Sequence, residues 1–218
     1  MNVEEILRSA WSALESGNLA RGRELAASLL EQEAVPEAHF LLALAARQEN
    51  DLETAERQCQ QAISLDEEYP DALLFMAELE ADSGEFETAL SWAERALNAA
   101  DEEDEYLNAL LFKAELESLS EQVDEAATTL KDFPSVDLEE PDYHLRAASL
   151  FLAIGDVTAA KAQFEAALRQ GATAEAHHGL GLCAEQVEDA ATQVSHFLQT
   201  RALDLAEPAD HRLTAAEI

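Results

Sequence analysis

Six histidines and two cysteines are the side chains of this sequence best suited to hold a metal or act as nucleophiles. His177, His178, Cys183 and His196 lie close together in the chain, and His/Cys sets of this kind are how proteins bind zinc. Zinc ligands, however, come at narrow spacings such as paired C-x2-C or H-E-x-x-H, because two of them must project from one turn or one helical face. No such spacing occurs here, so no metal and no cofactor are expected. Cys59 and Cys183 are too few for a disulfide framework. No glycine-rich phosphate loop is present, and no Ser or Cys stands in a nucleophile pattern. Carboxylates are so numerous, 46 Asp and Glu against 13 Lys and Arg, that their pairs single out no acid/base dyad. Some gather in short runs, such as Asp66-Glu67-Glu68, Asp101 to Glu105 and Glu139-Glu140, just ahead of helical segments, where negative charge complements the helix dipole. The Asp101 to Glu105 run lacks the glycine and alternating ligands of a calcium loop. The expectation is a protein without enzymatic chemistry.

The elements that carry these residues follow from composition. The chain has 218 residues and a formal charge of −33, which opposes binding to nucleic acid or to an anionic membrane surface. Its 48% hydrophobic content separates it from disordered acidic tails. Alanine supplies 43 residues, while Val and Ile together supply 11. Alanine is the best helix former and β-branched residues favour strands, so the chain reads as all-α, with helices approaching closely over small side chains. Met1 to Glu5 lacks the basic region of a secretory signal, and the longest apolar stretch, Phe40 to Ala46, falls far short of the roughly 18 residues of a membrane span. A soluble, cytoplasmic protein is expected.

An internal repeat organises the sequence. Ala10, Ala43, Ala77, Ala114, Ala148 and Gly181 recur at spacings of 33, 34, 37, 34 and 33. Twelve residues after each comes a second small residue, Gly22, Ala55, Ala89, Ala126 and Ala160, with Gln193 breaking the series. Between the two series sit turn signals, among them Ser16-Gly17-Asn18, Asn50-Asp51, Ser83-Gly84-Glu85 and Gly155-Asp156. Each unit is therefore a helix, a turn and a second helix, with Gly at the helix C-terminus and Asn or Asp as the next N-cap. Pro36, Pro70, Pro141 and Pro208 fall where a new unit begins. First helices, such as Ala38 to Ala46, are apolar nearly all round and must be covered on several sides; second helices, such as Glu53 to Ser64, are apolar on one face and form an outer layer.

This two-helix period of about 34 residues, with small residues at its eighth, twentieth and twenty-seventh positions, resembles the tetratricopeptide repeat family. The best matches are Gly84-Glu85-Phe86-Glu87-Thr88-Ala89-Leu90 running to Ala96-Leu97, and Gly155-Asp156-Val157 running through Ala160 and Phe164 to Ala167-Leu168. The resemblance implies a right-handed superhelical solenoid of antiparallel helix pairs. Its six units are placed at about 3–35, 36–69, 70–106, 107–140, 141–173 and 174–207. Where the family has Trp at the fourth position, this chain has Ile6, His39, Leu73, Leu110, His144 and His177, so those three histidines are expected to pack as half-buried rings. Three extra residues at the third junction and Pro134 in the fourth unit are expected to make the array irregular.

In this family first helices line the concave surface. The matching positions are Leu7, Trp11 and Leu14, then Phe40, Leu44, Arg47 and Gln48, then Asp71, Leu74, Glu78 and Asp82. Asn108, Leu111, Glu115 and Ser118 continue the line, followed by Asp142, Leu145, Ser149 and Leu152, and finally Glu175, His178, Leu182 and Glu185. The implied groove is apolar along its middle, with Trp11 and Phe40 as anchors. Family members that grip acidic C-terminal peptides use Lys and Asn at the fifth and ninth positions. Leu7 and Trp11, Phe40 and Leu44, and Leu74 and Glu78 stand there instead, so a basic or apolar protein segment is the expected partner.

Residues 208–218 read as a capping helix for the last unit, since a solenoid end needs a polar cover. Alternatively, Thr214-Ala215-Ala216-Glu217 opens a fresh helix with a capping box, so that the sequence is a piece of a longer protein. Two functional readings result. One is a non-catalytic interaction scaffold or adaptor. The other is the N-terminal recognition arm of a larger enzyme, such as a hydrolase or peptidase, whose catalytic domain lies beyond residue 218.

Overall fold

The computed structural model describes residues 2–32, 34–134, 138, 140–171 and 174–187, together with Thr192, Ser195, His196, Gln199 and Thr200. The expectations for Gln193 and for residues 208–218 lie outside the described residues. Among the described residues there are eleven α-helices and no strand. They fall into two units, Met1–Leu116 and Glu117–Ile218, with the boundary inside one helix.

The first unit holds α1 (Val3–Glu15), α2 (Leu19–Leu30), α3 (Pro36–Gln48), α4 (Leu52–Leu65), α5 (Pro70–Asp82), α6 (Phe86–Ala99) and most of α7 (Glu103–Leu119). Helices packed as hairpins alternate with junctions, and α1 also touches α3. Burial follows the sequence pattern. Six side chains of α5 are buried, from Ala72 to Leu79, against three in α6, Ala89, Ala93 and Ala96. The recurring small residues Ala10, Ala43, Ala77 and Ala114, and Ala55 and Ala89 of the second series, are fully buried. A Cβ on Gly22 would run into the Leu14 side chain, so the α1–α2 hairpin closes at a distance only glycine permits.

The second unit holds the end of α7, then α8 (Val123–Thr129), a 3-10 turn (Leu130–Asp132), α9 (Pro141–Ala153), α10 (Val157–Gln170) and α11 (Ala174–Gln186). α8 is only seven residues long and tightens into the 3-10 turn two residues ahead of Pro134, the shortening that this proline implies. α9 packs on both α10 and α11, and Ala148, Ala160, Phe164, Ala167 and Ala176 form the core between them.

Five hairpin turns share one geometry. The second residue after each helix adopts positive φ: Gly17 (75°), Asn50 (60°), Gly84 (82°), Glu121 (61°) and Gly155 (84°). The next N–H reaches back to a carbonyl five residues earlier, as from Asn18 to Ala13 (2.8 Å), Asp51 to Ala46 (2.9 Å) and Asp156 to Phe151 (2.8 Å). This is the Schellman closure, which satisfies carbonyls that the helix end leaves free. Asn18, Asp51 and Asp156 then cap the following helix through their side chains. Hydrogen bonding to Thr54 holds the Asp51 carboxyl below its ordinary range. Pro36, Pro70 and Pro141 occupy the first turns of α3, α5 and α9.

Candidate functional site

Among the described residues a concavity lies on the first unit, between α3 and α5. It is a depression of about 340 Å³ lined by Phe40, Leu44, Arg47 and Gln48 from α3 and Asp71, Leu74, Phe75 and Glu78 from α5. Helical spacing of three and four residues brings each set to one face. Seven residues singled out from sequence, Phe40, Leu44, Arg47, Gln48, Asp71, Leu74 and Glu78, line this one depression. Asp82 joins them through Arg47, which donates to Asp82 Oδ2 at 3.1 Å and also pairs with Glu78. The guanidinium lies over the Phe75 ring, 5.2 Å from its centroid. Phe75 and its stacking role were not legible in the sequence, because the partner comes from another helix.

Phe40 belongs mainly to the core. It is 4% exposed and meets the rings of Trp11 (6.0 Å), Tyr69 (5.4 Å) and Phe75 (5.7 Å) in tilted or edge-on contacts. It still lines the depression, where Leu44, Leu74, Arg47 and Glu78 are half-exposed. Trp11 and Leu7 are half-buried beside the cluster around Ile6 and Leu25. Leu14 and Leu111 are buried within their helix packing, at 4% and 0% exposure. Glu115 is exposed. On the second unit, Leu145, Leu152 and Leu182 are half-buried, and His178 and Glu185 are exposed.

The depression is electrostatically unbalanced. Arg47 is its one cation, against Asp71, Glu78 and, through the ion pair, Asp82. Asp71 has its carboxyl pushed up, chiefly by desolvation and further by the like charges of Glu105 and Asp104. Burial, and then the charges of Asp71 and Glu37, also push up the Tyr69 phenol.

His39, His144 and the two cysteines take places within the helix packing. His39 Nδ1 donates to Gln58 Oε1 at 2.7 Å. His144 is buried, accepting the Leu138 N–H on Nε2 (3.0 Å) and donating from Nδ1 to Gln163 Oε1 (2.6 Å). These rings are thus hydrogen-bonded as well as packed, and for His144 the two bonds fix the tautomer. Cys59 lies in the core with its thiol pushed up to about 12 by burial, and Cys183 is also a buried free thiol. Among the described residues no three His, Cys, Asp or Glu side chains converge as a metal site, and no helix is long and apolar enough to cross a membrane.

Comparison with known proteins gives one consistent answer. No curated protein matches the chain. Tetratricopeptide repeat family models match residues 46–111 and residues 7–71 and 145–204. Among solved structures, PilF of Pseudomonas aeruginosa is similar with a TM-score of 0.74 at 16% identity, over 98% of this chain and 97% of that one. PilW, described as a type IV pilus biogenesis factor, is similar with a TM-score of 0.75 at 14% identity, over 95% and 96%. YrrB, described as a TPR protein with an unusual peptide-binding site, is similar with a TM-score of 0.60 at 17% identity, over 88% and 96%. At these identities the structural likeness concerns the fold. With paired helices, recurring small residues at their contacts and family models matching more than half of its length, the chain belongs to the tetratricopeptide repeat family.

Proposed function

We propose that this protein is a non-catalytic interaction scaffold that binds a basic and apolar segment of a partner protein along the α3–α5 face. The observation that carries this reading is the make-up of the depression: Leu44, Leu74, Phe40 and Phe75 supply an apolar lining, and carboxylates outnumber the one arginine beside it. An apolar stem ending in a cation suits both parts, because it covers the lining and relieves the crowded Asp71 carboxylate. The peptide-binding site named for the similar YrrB supports the class of ligand, though not its sequence.

The test is to pan a random peptide library against the chain. Recovered peptides should be enriched in Lys or Arg beside apolar residues, and the Leu44→Ala/Leu74→Ala double variant should lose them while keeping its helical circular dichroism. Enrichment of acidic peptides, or undiminished binding by the folded double variant, would overturn the assignment.

A further inference from the structure

The histidines that share one repeat position also share a partner position. His39 meets Gln58, and His144 meets Gln163, each nineteen residues downstream. An amide oxygen can only accept, so both are N–H to oxygen bonds that pin a first helix to the second helix of its pair. His177 of α11 meets the residue at the same separation, but there it is His196. The two Nδ1 atoms stand 3.1 Å apart, with ring centroids at 5.4 Å and planes inclined by 30°. One substitution within the repeat has turned an imidazole–amide pair into two facing imidazoles.

We propose that His177 and His196 form a two-imidazole binding site for a divalent transition metal of the zinc and nickel class. With metal–nitrogen bonds of about 2.0–2.1 Å, two nitrogens held by one ion at tetrahedral or right-angle geometry lie roughly 2.9–3.4 Å apart, and the observed separation falls within that range. Without metal the pair shares one Nδ1 proton. Its transfer to Nε2 through solvent leaves two lone pairs on adjacent nitrogens. Both rings are partly exposed, so an ion can reach them. Because no third ligand converges among the described residues, water completes the coordination and the ion exchanges readily. Imidazole selects zinc, nickel or copper over magnesium and calcium, which prefer oxygen.

Calorimetric titration of the full chain with Zn²⁺ or Ni²⁺ tests the site, with excess Mg²⁺ present to occupy the surface carboxylates. One binding step is expected, weakened by about tenfold or more in His177→Gln and in His196→Gln, in line with the sensitivity of metal sites to their ligands, and unchanged in His39→Gln. His196→Gln recreates the pair found at His39 and His144, so helicity should be retained. If it is not, imidazole NMR of the wild-type protein decides: zinc should shift the His177 and His196 rings and leave the other four in place. Absence of a step above the carboxylate background, persistence of the step in both folded variants, or shifts confined to other histidines would overturn the proposal.

Discussion

Arg47 ties the stability of the first unit to the chemistry of its depression. Its guanidinium pairs with Glu78 and Asp82 and covers Phe75. The side chains are 33% exposed for Arg47, 35% for Glu78 and 54% for Asp82, so solvent screens both pairs and each contributes at most about 1 kcal/mol. The cation–π contact adds about 0.5–1 kcal/mol in such a setting. Arg47→Ala should therefore cost about 1–2 kcal/mol, which for a chain of this size lowers the thermal midpoint by about 3–6 °C. The same substitution releases Glu78 and Asp82 to a ligand. A Lys- or Arg-containing peptide selected on the wild-type protein should bind about fivefold tighter, the equivalent of about 1 kcal/mol. Thermal unfolding followed by circular dichroism and fluorescence anisotropy with a labelled peptide give both numbers, and an Arg47→Ala/Glu78→Gln cycle isolates the pairwise contribution. A stability loss below about 0.3 kcal/mol would mean that solvent has already decoupled the pairs. Weaker binding of the cationic peptide would mean that Arg47 contacts the ligand itself, and the reading of the depression as a cation-accepting surface would fail.

Two further predictions probe particular contacts. Asp71→Asn removes a carboxylate whose folded pKa is raised by desolvation and by Glu105 and Asp104. A raised carboxyl pKa means that the folded state binds more protons than the unfolded one within that window, so wild-type stability falls as pH rises through it. Asp71→Asn should thus stabilise the protein at neutral pH and lose this advantage on acidification below the ordinary carboxylate range, while binding cationic peptides more weakly; a gain that persists under acid would refute the electrostatic cause. Gly179→Ala places a methyl group against the Phe164 ring across the α10–α11 contact, and overpacking of this kind costs about 1–3 kcal/mol. An unchanged unfolding midpoint would show that the ring moves aside freely.

The turns show where local sequence stops being sufficient. Gly17, Gly84 and Gly155 announce the left-handed residue through their freedom at positive φ, but Asn50 and Glu121 adopt the same conformation. Glu121 does so because the five-residue back-bond from Gln122 N–H to Glu117 O (2.8 Å), and the helices on either side, fix its place against the local preference. Position within the repeat predicts this; residue type does not. The shared repeat position of the histidines was equally plain in the sequence, yet their hydrogen-bond partners were not. Those partners lie nineteen residues on, across a hairpin, where no local pattern pairs them with the histidines.

What the sequence determined by itself was the helical composition, the two-helix period and the small residues at the contacts. These depend on backbone propensity and on volume, which each residue carries wherever it stands. The apolar and charged residues on the first helices are equally plain in the sequence. Only the tertiary structure decided which of them reach solvent. Phe40, Leu14 and Leu111 share their repeat face with half-exposed residues, but neighbouring rings and helices close over them. Arg47, an ordinary helical arginine in the sequence, finds Glu78 and Asp82 on the next first helix, 31 and 35 residues away. Burial and charge balance are sums over neighbours supplied by packing, so the character of the α3–α5 depression could be read only after the helices were assembled.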